Sequence, residues 1–150
     1  MVTCSGYPAR WWWAVCRVVL QPYQLRERLR KYLSLPDVHI VALDERLEGL
    51  IVPSKFVGVL AMGRPALWFA AADGEVGSLI KAPGCGVTVP TRDAAALTQT
   101  LRELSDNHAS GGARLGTLAH QAQAVWSARF RRRGALAAWA VTIECCARQT

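Results

Sequence analysis

The chain has 150 residues, 51% of them hydrophobic and 19% charged, with a formal net charge of +7. That length carries one good core and leaves little for a second domain, and the apolar fraction excludes an intrinsically disordered chain. Charge, Gly or Pro interrupts every apolar run before the roughly 18 residues that a membrane span needs.

Residues 1–20 differ from the rest. Trp11-Trp12-Trp13 follows neither the helical nor the strand period, and Arg17 interrupts the apolar cluster without an A-x-A site behind it. We read this segment as an irregular or altered N-terminus rather than a signal peptide. From Gln21 onward the pattern is regular. Apolar residues at 25, 29, 32 and 33 predict a helix over 24–33 with a charged back. Pro36-Asp37 ends it, and the apolar run 38–43 reads as a buried strand. A loop and a short helix over 53–62 follow, stopped by Gly63-Arg64-Pro65, and a second strand covers 66–70.

Ala71 to Gly74 is a turn, Glu75 to Ala82 a helix ended by Pro83-Gly84, and Gly86 to Val89 a short strand closed by Pro90. Thr91 or Asp93 caps the next helix, which runs to about Ser105 with Leu97, Leu101 and Leu104 on one face. Asp106-Asn107-His108 reads as a break. A last helical region covers about 112–147, interrupted near Phe130 to Gly134. Strands alternating with helices predict a parallel sheet covered on both faces.

The cysteines at 4, 16, 85, 145 and 146 are odd in number and scattered. The one close pair is adjacent, which suits neither a zinc knuckle nor a CxxC redox pair, so these read as thiols of a reducing compartment. The basic charge is almost all arginine and suits nucleic acid, anionic lipid or a nucleotide sugar alike. It lacks the aromatic-basic interleaving of a nucleic-acid binder. No Ser/His/Asp triad, Walker loop or metal-ligand cluster stands out, so no catalytic residue, metal or cofactor is assigned.

Chemistry concentrates between the first two strands, where a strand, a loop and a helix start make a phosphate-sized cradle. Pro53 lacks an N–H and suits a first helical position, Ser54 offers a cap or a hydroxyl, and Lys55 adds a full charge. Local spacing alone favours an ordinary capped helix with an exposed lysine. His39, inside an apolar strand, reads as a packed, hydrogen-bonded residue. Arg131-Arg132-Arg133 reads as a solvated face or a patch for an acidic or membrane surface.

The run from Glu48 to Pro65 resembles the donor loop of retaining GT-B glycosyltransferases of family 4, in the cell-surface polysaccharide, colanic-acid-type branch. Gln21-Pro22-Tyr23-Gln24, Asp37-Val38-His39-Ile40-Val41, Gly84-Cys85-Gly86-Val87 with Asp93 to Leu97, Arg114-Leu115-Gly116 and Trp126 to Phe130 resemble further family segments in the same order. Each is weak alone; the ordered set covers residues 21–144.

The resemblance implies a single Rossmann-like three-layer α/β domain, the C-terminal half of a GT-B fold, with a short parallel sheet and C-terminal helices. Residues 21–150 would form that nucleotide-sugar-binding domain, incomplete relative to the family. Val52, Pro53, Ser54 and Lys55 would meet the donor diphosphate and sugar, with Glu48, Gly49 and Gly58 as donor-cleft candidates. The family's paired carboxylates are replaced here by Leu50 and Gly58, a departure at the ribose.

The implied ligand is a nucleotide-diphosphate sugar, used for glycosyl transfer in surface polysaccharide synthesis. A separate acceptor-domain subunit would complete the reaction, in the cytoplasm at the inner face of the plasma membrane, with peripheral membrane contact and no nucleic acid. The alternative is a non-catalytic binding or assembly module, or a degenerate remnant of such an enzyme.

Overall fold

The computed structural model describes residues 24–148. The irregular segment expected at residues 1–20 lies outside them. The described chain runs α1 (Leu29–Ser34), β1 (His39–Ala42), α2 (Ser54–Ala61), β2 (Ala66–Phe69), α3 (Glu75–Lys81), β3 (Gly86–Val89), α4 (Ala94–Ala109), α5 (Ala113–Val125) and α6 (Arg132–Ala147). The three strands pair parallel in the order β1-β2-β3, with Ile40 beside Leu67 and Leu67 beside Val87. Parallel neighbours need crossovers, and α2 and α3 supply them.

The sheet separates two cores. On one side Val41 and Trp68 meet Phe56, Val59 and Leu60 of α2, Val76 and Ile80 of α3, and Ala122 and Val125 of α5. On the other, Leu67 and Val89 meet Leu104 of α4 and Leu115 of α5. Helix α5 therefore serves both cores, one with each end. The result is the expected three-layer α/β domain with C-terminal helices, a small Rossmann-like unit. Trp68, the largest fully buried side chain, satisfies its ring N–H by donating to the Ala71 carbonyl at 3.0 Å, and its ring lies 6.3 Å from that of Phe56.

The run 38–43 is not the fully buried strand expected: among the described residues nothing covers one wall of β1, where Ile40 and Ala42 are exposed while His39 and Val41 are buried on the other. No helix among the described residues is long and apolar enough to cross a membrane.

Two further expectations need correction. The helix expected over 24–33 is a 3-10 turn, Arg26–Arg28, followed by the six-residue α1, and Leu25 and Leu29 are exposed. So short a helix has under two turns. Leu33, in the last of them, reaches the core.

Asp106-Asn107-His108 does not break the chain either; α4 continues through it to Ala109. Polar residues of modest helix propensity weaken a helix without stopping it. The stop is Gly111-Gly112, with φ of 100° and 70°, a left-handed pair that L side chains avoid. Asn107 instead caps α5, its side-chain oxygen accepting the Leu115 N–H at 3.1 Å.

Candidate anion site at the start of α2

Residues 44–53 leave β1 and fold over the C-terminal edge of the sheet, where parallel α/β domains place their ligands. Asp44 opens the loop. Its carboxylate accepts the Arg46 backbone N–H at 3.0 Å and the Arg46 guanidinium at 2.7 Å, starting the 3-10 turn Glu45–Leu47. Those two bonds hold the Asp44 carboxyl below the usual range. Glu45 accepts a hydrogen bond from the Thr91 hydroxyl, tying the loop to the segment that follows β3. A small cleft of about 210 Å³ lies among Asp44, Glu45, Thr91 and Arg92.

Glu48 reaches the start of α3, where its Oε1 accepts the Glu75 N–H at 3.1 Å and its Oε2 is buried with no hydrogen-bond partner among the described residues. Gly49 turns the chain with φ of 74°. Leu50, Ile51 and Val52 then run along the surface, all exposed. Pro53 is the cap residue of α2, with extended φ and ψ of −60° and 123°, one position earlier than its expected place.

Ser54 and Lys55 begin the helix, both exposed, and among the described residues no side-chain hydrogen bond caps it. The first amide groups of a helix lack intrahelical acceptors; here the Phe56 N–H donates to the Pro53 carbonyl at 2.9 Å, which leaves the Ser54 and Lys55 N–H groups for an outside acceptor. The Lys55 ammonium donates to the Ile40 carbonyl at 2.9 Å, on the exposed side of β1. An ammonium carries three N–H groups, so two remain for another acceptor.

The seven sequence candidates thus separate. Val52, Pro53, Ser54 and Lys55 form one turn. Glu48 belongs to the start of α3, and Gly49 to the bend between. Gly58 lies mid-helix and faces α1: a Cβ there would sit 3.1 Å from Leu33 Cδ1.

Sequence reasoning missed the role of Glu48 as a cap. It also missed a groove of about 760 Å³ between α3 and the C-terminal part of α5, whose walls include Glu75, Leu79, Val125 and Arg129. The groove ends on a π-turn, Trp126–Phe130, and such turns are frequent at functional sites. Its one trace in the sequence is the expected interruption near Phe130. No protein-family model, curated protein or solved structure matches the chain.

Proposed function

We propose that this domain binds a nucleotide-diphosphate sugar, with the diphosphate over Pro53, Ser54 and Lys55. One observation carries the reading. Helices α2, α3 and α4 each follow the C-terminal end of a parallel strand. Two are closed by the chain's own carboxylates: Glu48 on α3, and Asp93 on α4, which accepts the Ala96 N–H at 2.7 Å. Helix α2 has no such carboxylate among the described residues and carries a lysine in its first turn. Free amides, the positive helix end and an ammonium together suit a doubly charged phosphate group better than any other ligand class. In glycosyl transfer the same groups would stabilise the charge that gathers on the departing diphosphate.

Calorimetry with UDP, GDP and their hexose conjugates tests this. Lys55→Ala should weaken binding by roughly 1–3 kcal/mol, the range of a charge-assisted hydrogen bond. Lys55→Arg should recover part of the loss, because a planar guanidinium does not reproduce a point charge. Unchanged affinity in a folded Lys55→Ala protein would reject the α2 turn as the site. Absence of binding by every nucleotide would reject the function.

A further inference from the structure

Strand β1 lies at one edge of the sheet, and half of its peptide groups point away from β2. The His39 N–H donates to the Pro65 carbonyl at 3.1 Å and the Leu43 N–H to that of Phe69 at 3.3 Å. Alternate residues of a strand turn their peptide groups to opposite sides, so those of Ile40 and Ala42 face outward. The Ile40 carbonyl accepts the Lys55 ammonium at 2.9 Å, in the place of a neighbouring strand's N–H. Among the described residues the Ile40 and Ala42 N–H groups find no acceptor, and both side chains are exposed. An open edge of this kind is a template for another strand.

The hand of the crossovers says where that strand comes from. Helix α2 leads from β1 to β2 and α3 from β2 to β3, in one direction across the sheet, and both pack in the same core. Right-handed connections that run in one direction share one face. Helix α1 reaches that same core through Leu33 and lies against α2. A helix on this face that leads into β1 therefore comes from a strand on the open side of β1. Leu29, one turn before Leu33 on the same side of α1, is 51% exposed, so the helix overhangs the present sheet.

We propose that residues 14–20 of this chain pair in parallel with the open edge of β1 as a fourth strand. The chain ahead of Gln24 holds 23 residues, more than a strand needs. Read with a period of two, Ala14, Cys16, Val18 and Leu20 share one face, apolar throughout, which lies under α1. Val15, Arg17 and Val19 share the other, beside Ile40 and Ala42, where Arg17 reaches water. Residues 21–25 then lead to the turn at Arg26, a usual length for a strand-to-helix loop. Pro22 lacks an N–H and closes the strand. The three tryptophans, which follow neither period, fall outside it.

Nuclear magnetic resonance of the full, isotopically labelled chain reads the pairing directly. Nuclear Overhauser contacts should join residues 14–20 to Ile40 and Ala42, with residue numbers rising together along both strands. The Ile40 and Ala42 amides should be protected from exchange to the same extent at every protein concentration. Cys16, on the covered face, should resist a thiol reagent that modifies Cys145 and Cys146, both exposed. Val18→Asp should lower the urea midpoint, while Arg17→Asp, on the open face, should leave it in place.

Absence of those contacts in the folded chain overturns the proposal. Contacts with falling residue numbers, the mark of an antiparallel strand, overturn it as well. Contacts that appear only between copies in a mixed-label sample would overturn it by giving the edge to a second molecule. Equal losses from Val18→Asp and Arg17→Asp would overturn the assignment of faces.

Discussion

His39 shows how one buried polar side chain ties pH to stability. It sits on β1 with its Nε2 2.9 Å from the Leu33 carbonyl, linking the strand to the end of α1. Burial disfavours the charged ring and lowers its pKa; the Leu33 bond opposes this, and the charges of Lys55 and Arg64 lower it further. The native ring is therefore neutral above that lowered value, and its N–H donates to Leu33. In the unfolded chain the imidazole titrates near 6.5.

Between the lowered native value and 6.5 the unfolded state binds more protons, so stability rises with pH there. The contribution is complete above the unfolded value and is lost as pH falls through the window. We expect the urea midpoint to drop as pH falls through 6.5 toward the lowered native value, and His39→Gln to flatten that drop. A wild-type midpoint independent of pH over this interval would contradict the assignment. The sequence reading of His39 as packed and hydrogen-bonded was correct, and an apolar strand around a lone histidine was sufficient ground for it.

Among the elements, α3 depends on a residue far from it in the chain. Its first turn is capped by Glu48, 27 residues upstream, and a Cβ on Gly74 would lie 2.0 Å from the same carboxylate oxygen. Glu48→Ala should cost about 1 kcal/mol, as for other helix caps. Gly74→Ala should cost a similar amount by displacing the carboxylate. The double substitution should cost clearly less than the sum, because either change already removes the same contact. Additive losses in urea unfolding would show that the two positions are independent.

Helix α4 was legible in its start but not in its end, and of its expected apolar face Leu97 and Leu104 pack in the core while Leu101 is exposed. Asp106 to His108 have the composition of a break. Whether they stay helical is decided by the glycine pair three residues on and by the use of Asn107 as the cap of α5.

At the scale of the whole molecule, stability is concentrated in the middle of the sheet and thins toward α6. Strand β2 is paired on both edges and lies between the two cores, with Ala66, Leu67 and Trp68 at most 1% exposed. Its amides should exchange with deuterium only through global opening, at the free energy measured by urea unfolding. Amides of α6 should exchange through local opening. Exchange from Leu67 to Phe69 as fast as from α6 would reject this ranking.

The sequence by itself determined the alternation of strands and helices, the parallel sheet they imply, the second interruption in the C-terminal helices and the turn at Pro53 to Lys55. These rest on local signals: apolar runs of strand length, Pro and Gly at their ends, and a charged residue in a helix's first turn. The tertiary structure decided the rest. It gave Glu48 to α3, turned Gly58 toward Leu33, opened the groove between α3 and α5, and left α6 outside both cores. Each of these depends on which distant groups meet once the sheet has formed, and neither hydrophobic period nor turn chemistry encodes a meeting between segments that far apart.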